Sequence, residues 1–128
     1  MRLHPRPPPG FTLIELLVVM AIVALLVSLA VPRYLGSVEK SKETALLQTL
    51  AVTRDSIDKF YGDNGKYPDT LAALVTNRYL RSLPVDPMTE SNTTWTMVPP
   101  EDPEKGGVYD IRSGAAGIGR NGKPFREW

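Results

Sequence analysis

The stretch Gly10–Val31, GFTLIELLVVMAIVALLVSLAV, decides how this chain of 128 residues is organised. From Phe11 to Val31 it holds twenty-one residues and a single charge, Glu15. As an α-helix rising about 1.5 Å per residue, this run is roughly 31 Å long, enough to cross a hydrocarbon core about 30 Å thick. The core helix of a small domain keeps one apolar stripe and one polar face. Here every face is apolar, so the segment reads as a membrane span and not as a buried helix.

Upstream, MRLHPRPPPG carries Arg2, His4 and Arg6 with no acid, and Pro7, Pro8 and Pro9 exclude a helix. Positive charge before a span keeps that end cytoplasmic, although Arg33, Lys40 and Lys42 on the far side weigh against the rule. An ordinary secretory signal is cut after its apolar stretch, at small residues. Ser28 and Ala30 could mimic such a site, but Pro32 and the polar helix after it fit poorly. The expected cut therefore lies before the span, between Gly10 and Phe11, leaving residues 1–10 as a basic leader.

Glu15 demands a reason, because a carboxylate inside an apolar span costs several kcal/mol unless it finds a partner. A cut after Gly10 creates an amino group on Phe11, four residues and one helical turn before Glu15. Two readings follow from the residues. Either Glu15 pairs with such a cation, or it snorkels to the headgroups from near the helix end.

At Gly10–Leu17, GFTLIELL, the chain resembles the type IV pilin and type II secretion pseudopilin superfamily. Glycine precedes the cut, phenylalanine follows it, glutamate is fifth after the cut, and the apolar helix runs on to Pro32. The resemblance implies cleavage after Gly10 and N-methylation of Phe11 by a prepilin peptidase, with Glu15 pairing with a neighbour's N-terminus during assembly. It also implies that the helix before Pro32 loses helicity when subunits pack in a filament. From the residues alone, Pro32 supports a kink at the membrane exit.

Past Pro32 the apolar residues thin to a stripe at helical spacing: Leu35, Val38, Ala45, Leu46, Leu50, Ile57 and Phe60. The spacing predicts that residues 33–61 continue the span as an amphipathic helix, stopped by Gly62, Asn64 and Gly65. Residues 62–128 hold a short helix over Thr70–Val75 with Asp69 as N-cap, then loops broken at Pro84, Pro87, Pro99, Pro100 and Pro103. Strands are expected at Thr93–Val98, Gly107–Arg112 and Lys123–Trp128, with Asn121-Gly122 turning into the last. The expected fold is α+β and pilin-like, a long N-terminal helix packed on a small antiparallel sheet. The aromatics Trp95, Tyr109, Phe125 and Trp128 are expected in its core. YLRSLPVDPMT, VYDIRSG and the closing GKPFREW also resemble the major pseudopilin of type II secretion.

That family commonly binds calcium through acids in the loop between its last strands. Here the loop reads SGAAGIGRNG, with no carboxylate between Asp110 and Glu127. Calcium takes six to eight oxygens including carboxylates. A site from Asp110, Ser113, Asn121 and backbone carbonyls is the one arrangement left, and the family's calcium is not transferred.

Catalytic chemistry finds no footing. The chain has no cysteine, and its one histidine, His4, lies in the leader. Asp55 with Asp58, and Asp102 with Glu104, read as solvated acids and not as an acid and base pair. No cofactor is called for, and a net charge of +1 gives no reason to invoke nucleic acid. The Asn92-Thr93-Thr94 sequon and the glycines from Gly114 to Gly122 read as loop sequence.

The function expected is a non-enzymatic structural subunit of a type II secretion pseudopilus. Its implied partners are copies of itself in a helical filament, a prepilin peptidase, an inner-membrane assembly platform, minor pseudopilins and membrane lipid. Its implied place is the bacterial inner membrane as a single pass, with the N-terminus cytoplasmic and the C-terminal domain periplasmic, extracted into a periplasmic filament on assembly. The rival readings are a pilin or minor pilin-like subunit of a surface fibre, serving adhesion, motility or DNA uptake, and a membrane-tethered binding module that never polymerises.

Overall fold

The computed structural model describes residues 2–128. The first element is one helix, α1, Leu13–Asn64, of 52 residues. Thr12 starts it: its Oγ1 accepts from the Glu15 amide and its carbonyl from the Leu16 amide, both at 3.2 Å. A threonine in this place satisfies amides that a helix start otherwise leaves open. The helix runs through Pro32 without interruption, and outlasts the expected end at Tyr61. Gly62 stays helical, and the stop is Gly65, whose φ of 72° suits glycine and whose amide returns to the Tyr61 carbonyl at 2.8 Å.

The chain falls into two units, Met1–Ser37 and Val38–Trp128. In the first, every described residue before Gly36 is exposed. The second has a core. Leu46, Leu50, Ile57 and Phe60 of α1 meet Leu71, Leu74, Trp95, Val108, Ile111, Ala115 and Phe125. The buried line starts later than the apolar stripe suggested, since Leu35 lies in the first unit and Ala45 is turned off the line through Leu46 and Leu50.

The second helix, α2, is Leu71–Thr76, capped by Thr70 and not by Asp69, because the Thr70 Oγ1 takes the Ala73 amide at 3.3 Å. Strands β1, Thr96–Val98, and β2, Asp110–Arg112, pair antiparallel with Met97 opposite Ile111. Both are shorter than expected. The amides of Gly107 and Val108 bond to the Pro68 carbonyl instead of a strand, and the Thr93 amide turns to the Ser91 hydroxyl.

The expected third strand at Lys123–Trp128 is replaced by a single bridge between Ile118 and Pro124 and a 3-10 turn, Phe125–Glu127. Pro124 has no amide to extend a ladder. The turn at Asn121-Gly122 is present, with Gly122 at φ 81°. Of the expected core aromatics, Trp95 and Phe125 are buried and Trp128 half-buried, but Tyr109 is exposed, lying outside β2 at the ladder's end. The layout is the α+β, pilin-like one.

Candidate assembly site on the N-terminal helix

Gly10 is exposed with open space where a Cβ would stand, and Phe11 is 89% exposed just before the Thr12 cap. Glu15 sits in the first turn of α1, where the partial positive charge of the helix start favours a carboxylate. Phe11 and Glu15 border one shallow apolar groove of about 290 Å³ with Ile14, Val18 and Val19. Among the described residues Glu15 is exposed and has no ion-pair partner; the ion pairs are Lys42–Glu90, Arg54–Asp110 and Lys59–Asp55. Pro32 does not share the groove, lying about 26 Å further along the helix.

Around this carboxylate the helix is bare hydrocarbon. An 18-residue window of α1 averages 2.9 in hydropathy with none of it buried. A continuous apolar surface of this extent marks contact with lipid or another protein. The arrangement can anchor the chain in a bilayer and can lie against like helices, with Glu15 the one acidic side chain in its apolar stretch.

The three candidate calcium ligands are held in three separate networks. The Asp110 Oδ1 accepts from the Arg54 Nε at 2.7 Å and from the Ile111 amide at 2.8 Å. The buried Ser113 hydroxyl donates to the Asp86 Oδ2 at 2.6 Å. The Asn121 Oδ1, in an exposed turn, accepts from the Lys123 amide at 3.0 Å.

Two of these partners escaped the reading of the sequence. Arg54 also donates through Nη2 to the main-chain oxygens of Ile111 and Trp128, at 3.1 and 2.8 Å, so one guanidinium fastens β2 and the last 3-10 turn to α1. Asp86 is fully buried and also takes the Met88 amide at 2.8 Å, closing the loop ahead of β1. Neither long-range pairing has a local signal, since Arg54 and Asp110 are 56 positions apart and Asp86 and Ser113 are 27. The Thr12–Glu15 cap did have one, in the spacing of threonine and glutamate at a helix start.

Two phenols hold their protons beyond the ordinary 10.0. Partial burial, and then the neighbouring Tyr109, Tyr61 and Asp58, raise Tyr67. Tyr79 is raised chiefly by its 2.6 Å hydrogen bond to the Asp63 carboxylate.

Comparison with known proteins bears on both units. The family model described as the prokaryotic N-terminal methylation motif matches residues 9–31. Type II secretion system core protein G of Pectobacterium carotovorum subsp. carotovorum is 32% identical over 92% of this chain and 80% of its own length. The chain belongs to the type II secretion system core protein G family. Core protein G of Escherichia coli strain K12 is 30% identical over 81% of this chain and 79% of its own length. Fimbrial protein EcpC of Eikenella corrodens reaches 32% identity over 59% of this chain and 53% of its own length. The likeness to core protein G thus runs through both units, while that to the fimbrial protein covers less of the chain. No solved structure matches.

Proposed function

We propose that this chain is a structural subunit of a type II secretion pseudopilus. A prepilin peptidase cuts it after Gly10 and methylates Phe11. The span then holds it in the inner membrane with the amino end cytoplasmic and the C-terminal unit periplasmic. An assembly platform, with minor pseudopilins, draws subunits out of the bilayer so that α1 helices pack together. Glu15 of an incoming subunit pairs with the Phe11 amine of a neighbour and fixes its depth, and the helix before Pro32 yields as subunits pack.

The observation that carries this reading is the exposed apolar first part of α1, whose Glu15 has no ion-pair partner among the described residues and borders the same groove as Phe11. Lipid satisfies the hydrocarbon but not the charge. A neighbour's N-terminal amine satisfies both depth and charge. The intact mass of protein recovered from cells with an active peptidase tests the processing. Loss of residues 1–10 and gain of one methyl is the expected result. A chain beginning after Ala30, or one left uncut, would remove the basis for the reading.

A further inference from the structure

Val38–Trp128 carries an acid-rimmed aromatic groove near one end of its part of α1, and near the other a turn with three basic side chains beside Glu39 and Glu43. Near the end of α1, Tyr61, Tyr67 and Tyr109 line an open groove of about 510 Å³ with Pro99 and Pro100. Tyr61 and Tyr67 stack at 4.4 Å between centroids, and Tyr109 stands edge-on to Tyr67 at 5.3 Å. Glu101 and Asp102 rim the groove, and Glu104 follows in the 3-10 turn Pro103–Lys105. Lys105 is its one basic member, 5.8 Å above the Tyr61 ring. Among the described residues neither Glu101 nor Glu104 forms an ion pair. Aromatic faces beneath a net negative rim suit a cationic side chain.

The complementary surface lies on the same chain. The Arg120 amide donates to the Glu43 Oε1 at 2.9 Å, which sets the turn between Ile118 and Pro124 beside the early part of this unit's helix. Arg120, Lys123 and Arg126 are exposed there, and among the described residues none of them forms an ion pair. Glu43 and Tyr61 stand about 27 Å apart along α1, so the two surfaces cannot meet within one chain. Two copies displaced along the helix axis can bring them together, in the head-to-tail contact from which filaments grow.

We infer that the acidic tyrosine groove of one subunit receives the basic turn Arg120–Arg126 of a second copy. The inference rests on the pseudopilus-subunit reading and adds to it a contact between globular units. Copies side by side at equal depth would set like charge beside like, which is disfavoured. The pairing therefore demands an axial offset of about 27 Å between the two subunits in contact.

The absence of cysteine makes the test clean. The full chain carrying Glu101→Cys and Lys123→Cys is produced with its assembly machinery, and its membranes are oxidised. A ladder of crosslinked multimers is expected from the pair, and none from either single variant. Charge reversal gives a second reading. Glu101→Lys with Glu104→Lys should cut filament yield about fivefold, as should Lys123→Glu with Arg126→Glu. All four together should return yield to within about twofold, with the melting temperature unchanged throughout. Filaments that form without the crosslink, or reversals that leave yield unchanged, overturn the contact and leave the subunit reading standing. If the unaltered chain forms no filament, the subunit reading falls and this contact with it.

Discussion

Leu17, Leu25 and Leu29 are 69%, 62% and 66% exposed, whereas Leu46, Leu50 and Ile57, further along the same helix, are at most 1% exposed. The backbone is helical in both places and the residue types are alike. The difference lies in what the chain supplies to cover them. α2, β2 and the last turn close over the later part, whereas every described residue before Gly36 is exposed. One helix therefore does two jobs. Its later part is stabilised from within, and its earlier part leaves its apolar surface open.

Leu50→Ala should separate the two most sharply. Deleting a fully buried leucine costs about 2–5 kcal/mol, so the melting of the full chain in detergent should fall by many degrees. Leu25→Ala, with no cavity to leave inside the chain, should change stability by less than about 0.5 kcal/mol. Equal losses would show that the earlier helix is covered by its own chain. Arg54→Ala should cost about 2 kcal/mol, since it removes the charge-assisted bonds from α1 to Asp110, Ile111 and Trp128. Arg54→Lys should recover only part of this, because an ammonium cannot replace the fork of the guanidinium. Full recovery would mean that charge alone sets the contact.

The smallest effect is one of pH. Tyr67 and Tyr79 have folded pKa values raised above 10.0, so the folded state holds their protons more tightly than the unfolded chain does. Their contribution is fully present below pH 10 and is lost as pH rises from there through the folded values. Denaturant titrations should therefore show stability falling above about pH 10, and less steeply in Tyr67→Phe and Tyr79→Phe. A slope unchanged in both variants would show that other groups govern it.

The long apolar helix, its place in the chain and its lone carboxylate were legible because each is a local pattern: apolar length, charge spacing and helical period. The same holds for the layout of a long helix with a small sheet. The ends of elements were less legible, because they are settled by competition for single hydrogen bonds. Thr70 takes the cap from Asp69, and the Pro68 carbonyl takes the amides of Gly107 and Val108 from the sheet. Pro124 was a visible warning against a third strand. Glycine at position 114 reads as loop flexibility, yet a Cβ there would collide with the Thr94 carbonyl oxygen, so it marks a close approach of two backbones. Arg54 and Asp86 act across long stretches of chain, and a pairing of that kind leaves no trace in spacing.

Filament yield and membrane crosslinking of Glu15→Ala, compared with the unaltered chain, test the assembly mechanism most directly. Insertion depends on apolar length, and removing a charge from the span favours lipid burial, so cleavage and membrane content should stay normal. Assembly should fall at least about tenfold, since the neighbour's amine is then left without its counter-charge in a low-dielectric surrounding. Glu15→Gln should fail in the same direction, because it keeps shape and hydrogen bonding but not charge. Normal filaments and normal crosslinked ladders from the alanine variant would contradict the mechanism, and would make Glu15 a residue that merely reaches to the headgroups.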